Sequence, residues 1–389
     1  MKKWLLMPDS FKGTMSSAEI CAIMQREIRS FYPQAQIRSV PIADGGEGTV
    51  DAFLAALGGK RVSLTVKGPH WEPVESFYGL LPDGTAVIEM AAAAGLPLAG
   101  ENRRVDLATT YGVGQLIRDA VCAGCKKVVV GLGGSATNDG GTGAAAALGA
   151  VFRDAKGDAF FPVGGTLDQI ASVDLSGVLP ELAQVDLVAM CDIRNPFYGP
   201  EGAAVVFGPQ KGADRAMVQQ LDRNLQHLAG VIRSCLGKEI QTLPGAGAAG
   251  GLGGGLAAFL DAKMQMGIDA VLDTLHFEQL AADADLIFTG EGKLDVQSLQ
   301  GKAVIGIARR AKKLGVPVIA VVGDIGDGIE AAYQQGVSAI FSINRVAVPY
   351  EQAKARAKSD LALTMQNLMR CFSLRKRRVQ DDEQASKST

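Results

Sequence analysis

Apolar runs of strand length alternate with amphipathic runs of helix length at both ends of this chain but not in its middle, and no other feature constrains the fold as much. At the start, "KKWLLMP" reads as a buried strand. "SSAEICAIMQREIRSFY" reads as a helix capped by Ser16 or Ser17, with Ile20, Ile23, Met24, Ile28 and Phe31 on one face. "QIRSVPIA" and "EGTVDAFLAALGG" repeat the pair, so residues 1–60 spell βαβα. At the far end "ADLIFTG", a helix over 298–314, "VPVIAVVG", a helix over 328–335, "VSAIFSI" and a helix from about Glu351 to Phe372 spell βαβαβα. Such alternation argues parallel sheet. Between these runs, "KRVSLTV", "VESFYGLL" and "TAVIEM" predict antiparallel strands joined by "GPHWEP" and "PDG" turns.

A chain of 389 residues is longer than one core usually supports. Neither flanking run closes a core alone. Residues 1–62 plus 283–372 are therefore expected to form one discontinuous, doubly wound α/β domain, with 63–282 inserted as a second α/β domain. A single cut near residue 150 is the simpler alternative. The last stretch, 373–389, loses apolar periodicity after the basic run Arg375 to Arg378 and is expected to be a disordered tail.

Composition narrows the partners. Lys and Arg total 39 against 41 Asp and Glu, a net charge of −2, which lacks the electrostatic footprint of a nucleic-acid or anionic-membrane binder. No apolar run approaches a membrane span, and "MKKWLLMPDS" is too short in apolar residues for a signal peptide. Six scattered cysteines do not make a secreted disulfide framework, and Cys122 and Cys125 sit where a helix gives way to a strand. The expectation is a reduced, cytoplasmic protein acting on small molecules. Oligomeric state is not legible.

Polar, glycine-rich clusters follow the predicted strands repeatedly, and ligands of open α/β sheets collect at the carboxyl ends of strands. "MPDSFKGT" carries Asp9, Ser10 and Lys12; "IADGGEGT" carries Asp44 and Glu47, which serve either as helix caps or in Mg²⁺ or hydroxyl binding. "GLGGSATNDGGTG", residues 131–143, packs six glycines among Ser135, Thr137, Asn138 and Asp139. Capping accounts for one or two of those polar residues, while amides around Gly133, Gly134 and Ser135 read as an anion cradle. "CDIRNP" places Asp192 at a strand end, where a catalytic base or metal ligand would stand. "GPQKGA" offers Lys211, and "TGEGKLD" offers Gly290, Glu291, Lys293 and Asp295. Mixed charges between glycines suit a triphosphate with its metal.

Two competing motifs fail on context. "GAGAAG", residues 245–250, matches the dinucleotide pattern G-x-G-x-x-G, but Pro244 interrupts the poor strand "KEIQTLP" before it. An NAD(P) dehydrogenase and a non-catalytic ligand-binding protein remain the rival classes. Lys302 is followed by Ala303, so no P-loop is present, and the three histidines are scattered, against a histidine triad or zinc site.

"PDSFKGT", "PIADGGEGT", "IEMAAAAGL", "GLGGSATNDGG", "CDIRNP", "GPQKGA", "PGAGAAGG" and "TGEGKLDVQSLQGK" together, in this order over residues 4 to about 345, resemble the bacterial glycerate kinase family. The resemblance implies ATP-dependent phosphorylation of D-glycerate with Mg²⁺, usually giving 2-phosphoglycerate, with 3-phosphoglycerate as the alternative product. It also implies a flavodoxin-like domain with a domain of restriction-enzyme-like fold inserted into it. On this reading Asp192, Lys12 and Asp44 are catalytic. Ser10, Gly133, Gly134, Ser135, Asn138, Lys211, Gly290 and Lys293 contact substrate or phosphate, and Glu291 and Asp295 hold the metal. The chain departs from the family at Val304, where a proline is usual.

Overall fold

A computed structural model describes residues 2–42, 45–101 and 103–385. The chain divides into two compact units, Met1–Ala43 with Val271–Thr389 and Asp44–Ala270.

Unit 1 is built on a five-stranded, all-parallel sheet. Its strands in chain order are Lys3–Pro8, Gln36–Ser39, Leu286–Gly290, Val318–Val322 and Val337–Ser342, and they lie side by side as second, first, third, fourth, fifth. The first strand pairs in register with the third, Trp4 opposite Leu286 through Pro8 opposite Gly290. Helix Ser17–Phe31 starts at a capping box, in which Ser16 and Glu19 satisfy each other's backbone amides. Its Ile20, Ile23, Met24 and Ile28 are buried at helical spacing. They join Trp4 and Leu6 from the start of the chain and Phe288, Val321, Leu361 and Met365 from its end in one core. Stretches of sequence separated by the whole of Asp44–Ala270 therefore share one apolar interior, in keeping with roughly 25 cal/mol gained per Å² of apolar surface buried.

The last helix, Tyr350–Ala385, buries Ala357, Leu361, Met365, Leu368 and Met369. It continues past Phe372, so helix occupies most of the segment expected to be disordered; residues 386–389 lie outside the described residues. The run "SLRKRRVQDDEQA" holds neither proline nor glycine, and its arginines, glutamines and glutamate are good helix formers, so nothing local stops the helix.

Unit 2 holds a six-stranded mixed sheet in the order Lys263–Met266, Asp186–Cys191, Lys127–Gly131, Thr85–Glu89, Pro73–Leu80, Lys60–Lys67. The first four run parallel and the last two pair antiparallel, so Thr85–Glu89 is antiparallel to one neighbour and parallel to the other. A small antiparallel sheet of Val151–Arg153, Ala159–Phe160 and Ser172–Asp174 lies outside it. Helix Arg215–Leu236, capped by Asp214, buries Leu221, Leu225, Leu228 and Ile232.

The division at 43/44 and 270/271 differs from the expected 62/63 and 282/283. Helix Thr49–Leu57, expected with the first domain, belongs to unit 2 because its Val50 and Leu54 pack over Gly79 of the Pro73–Leu80 strand. The helix expected over 298–314 splits into a 3-10 turn, Ser298–Gln300, and helix Ala303–Lys313. The four-residue Ala331–Gln334 stands for the helix expected over 328–335.

Candidate active-site clusters

In unit 1, the polar residues gather at the carboxyl ends of Lys3–Pro8 and Leu286–Gly290, where the strand order reverses. The Asp9 amide donates to the Gly290 carbonyl at 2.8 Å, and the Asp9 carboxylate accepts the Ser10 amide at 2.6 Å. Phe11 and Met15 then bridge each other, and this tight loop puts Lys12 on the surface. Ser10 and Lys12 thus sit on one loop, steps away from Gly290 and Glu291.

Glu291 is 7% exposed, and its Oε1 has no hydrogen-bond partner. Burial pushes its carboxyl up to about 7; Ser298 and Lys302 oppose the shift, while Asp9 and Asp295 add to it. Asp295 is differently employed. Its Oδ1 accepts the amides of Gln297 at 2.9 Å and Ser298 at 3.3 Å, opening the turn Ser298–Gln300. Lys293 is exposed, on a two-residue strand paired with Asp324–Ile325.

These residues bear on the expected metal. Among the described residues no three His, Cys, Asp or Glu side chains form a group that could hold one. Mg²⁺, however, is usually held by one or two carboxylates together with water and substrate phosphates, and the unpartnered Glu291 oxygen fits that demand. Asp295, committed to its turn through Oδ1, fits it less well.

In unit 2, the stretch 131–143 follows the Lys127–Gly131 strand, as its sequence suggests, yet two of its glycines answer to packing. A Cβ on Gly131 would lie 2.4 Å from the Gly45 carbonyl oxygen, and one on Gly133 would lie 2.7 Å from Gly46 Cα. The Gly133 amide donates to the Gly45 carbonyl at 3.1 Å, so this amide of the expected cradle is spent on backbone contact.

Further on, the stretch turns inward. Asp139 is fully buried and accepts the Thr110 amide (2.7 Å), the Thr110 hydroxyl (2.8 Å), the Gly141 amide (3.1 Å) and the Gly143 amide (3.3 Å). Burial raises its carboxyl above the ordinary range, against the pull of those donors. Asn138 is equally buried, and neither Oδ1 nor Nδ2 has a partner. Lys211, expected to reach a ligand directly, is instead 2% exposed; its ammonium donates to Ser135 Oγ and the Thr137 carbonyl, each at 2.7 Å.

The "GAGAAG" loop has a structural task. Residues 238–247 hold no strand before it, and Ala249, Gly250 and Gly251 run left-handed at φ 53°, 68° and 90°. The loop lies backbone to backbone on the 131–143 stretch: Gly140 donates to Gly250, and a Cβ on Gly250 would stand 1.9 Å from the Thr137 carbonyl oxygen. Asp192, at the end of Asp186–Cys191, is half-buried and accepts the Gly267 amide at 2.9 Å. Asp44 lies outside the described residues. Glu89, which sequence reasoning passed over, is 4% exposed and accepts the Val50 amide at 2.7 Å, capping helix Thr49–Leu57. Its signal was a lone carboxylate closing the strand Thr85–Glu89, directly after the apolar run Ala86–Ile88.

A family model described as the glycerate kinase family matches residues 4–373. The chain is 45% identical over 370 residues to a glycerate kinase of Halalkalibacterium halodurans, covering 95% of this chain and 97% of that one. It is 44% identical over 343 residues to the glycerate 2-kinase of Escherichia coli K12, covering 88% and 90%. The crystal structure of a Salmonella typhimurium LT2 protein proposed to be glycerate kinase 2 superposes with a TM-score of 0.85 at 40% identity, over 97% of this chain and 99% of that one.

Proposed function

The chain belongs to the glycerate kinase family, and on that premise we propose that it transfers the γ-phosphoryl group of ATP to a hydroxyl of D-glycerate, giving 2-phosphoglycerate and ADP. The observation that carries the reading is the unit 1 switch point, where an exposed lysine loop and a buried carboxyl with one unpartnered oxygen, Glu291 Oε1, meet at the ends of two parallel strands. The 2-phosphate is favoured by the name of the Escherichia coli relative. The second-first-third-fourth-fifth order of unit 1 supports a flavodoxin-like domain. The likeness of the whole chain to the family supports a restriction-enzyme-like fold for unit 2.

Phosphoryl transfer is mostly positioning and charge neutralisation. In unit 1, Ser10, Lys12 and Lys293 contact phosphate oxygens beside Gly290, and Glu291, seconded by Asp295, is the group that would hold Mg²⁺. When bound, that ion neutralises charge on the nucleotide phosphates. In unit 2, Gly134 and Asn138 bind the acid, on a stretch that Gly133 and Ser135 anchor. Asp192 orients the attacking hydroxyl and takes its proton, with Gly267 fixing one carboxylate oxygen. Asp44 is the competing carboxylate for that task.

An ADP-release assay with D-glycerate against L-glycerate, hydroxypyruvate and glycerol tests the reaction, and phosphorus NMR of the product tests the regiochemistry. The expected outcome is turnover with D-glycerate and a phosphorus signal split by the single proton on carbon 2. No ADP release with D-glycerate would remove the reading, and splitting by two protons would move the phosphate to carbon 3.

A further inference from the structure

Lys211 ends the turn Pro209–Lys211 with its head group buried. A buried ammonium is costly to desolvate, and an apolar side chain of similar length is often as good for packing or better. What the lysine does instead is hold one stretch of chain. Its two 2.7 Å bonds end on Ser135 Oγ and the Thr137 carbonyl, flanking Ala136 and directly preceding the buried, unpartnered Asn138.

We infer that Lys211 is a positioning residue: without touching substrate, it fixes Ser135 and Thr137, and through them presents Asn138 to the hydroxy acid. The inference rests on the kinase reading above and assigns the 133–138 stretch to the acid rather than to the nucleotide. An Asn carboxamide offers one donor face and one acceptor, which matches the carboxylate and adjacent hydroxyl of an α-hydroxy acid. The charged groups around Lys211 are the buried Asp139 and Arg103, whose guanidinium donates to the neighbouring Gln210 carbonyl at 2.8 Å. Burial pushes the Lys211 ammonium down to about 7, with Asp139 pulling the other way. The clamp therefore loses its charge as pH rises through neutrality.

The test uses the full chain with Lys211→Met, Ser135→Ala and the double variant, measuring KM for D-glycerate and for ATP across pH. Hydrogen exchange of the peptide 131–143 is read alongside. Lys211→Met is expected to raise KM for D-glycerate at least tenfold, leave KM for ATP within twofold, and speed exchange of that peptide. It should also flatten the rise in D-glycerate KM that is expected of the wild type above neutral pH. Ser135→Ala should raise the same KM at least threefold, and the double variant should be no worse than Lys211→Met alone, because both act on one link. Faster exchange with an unchanged D-glycerate KM, or single effects that multiply in the double variant, would overturn the proposal. If Lys211→Met fails to fold, a normal KM in Ser135→Ala overturns it. A wild type that releases no ADP would sink the kinase reading alone, and the exchange data would still judge the clamp.

Discussion

Asn138 is a residue that stability alone would not keep. A buried polar group without a partner costs about 1–3 kcal/mol, and its carboxamide leaves both ends unmet. Asn138→Leu, close in shape and free of that cost, should leave the urea midpoint unchanged or higher while kcat/KM for D-glycerate falls at least tenfold, on the order of what lost positioning costs. A strongly destabilised variant would show that the carboxamide is satisfied. Lys211 makes a second prediction. An unfolded lysine keeps its proton to about 10.5 and the folded one only to about 7, so between those values the unfolded chain binds more protons. Stability should therefore climb as pH rises from about 7 to about 10, and Lys211→Met should remove that climb in thermal melts. The sequence singled out Ser135, Asn138 and Lys211 one by one, since each stands among glycines. The Lys211–Ser135 bond could not be read there, because it joins positions 76 apart through the fold.

At the level of elements, local signals were legible and partners were not. The buried face of Ser17–Phe31 follows from spacing alone, as does the strand preceding 131–143, whereas the cap was open between Ser16 and Ser17 and falls to Ser16. Four polar residues before helix Thr142–Ala147 offered themselves as caps, and Asp139 takes the task because it also reaches Thr110, at the entry to helix Tyr111–Cys122. Asp139→Ala strands donors on both helices, so equilibrium unfolding should show a loss of about 3 kcal/mol or more; a loss below about 1 kcal/mol would mean that water replaces the carboxylate. Helix Thr49–Leu57 shows the other side. Its apolar face is plain in the sequence, but periodicity says only that a face is buried, not against which sheet, and the short run of residues before it invited the wrong neighbour.

For the molecule as a whole, the parallel character of both ends was legible from alternation, whereas the crossing points between units depend on tertiary contacts that composition does not mark. The last helix contributes to the unit 1 core through Met369, with Phe372 packed at its margin beside Trp4, while Leu374 is exposed. Truncation after Phe372 should accordingly leave kcat/KM within twofold and stability within about 0.5 kcal/mol. Truncation after Pro349 should abolish cooperative unfolding of unit 1, as circular dichroism melts would report. The core that joins Trp4 and Ile28 to Phe288 and Met365 also has a consequence in time. A ribosome makes residue 39 long before residue 286, and at about 5–20 residues per second the delay is on the order of 10–50 s. During that interval the Lys3–Pro8 strand has its Gln36–Ser39 neighbour but no third strand, leaving an apolar edge open to other nascent chains. Chains stalled in that interval are therefore expected to aggregate more readily than chains released after the last helix.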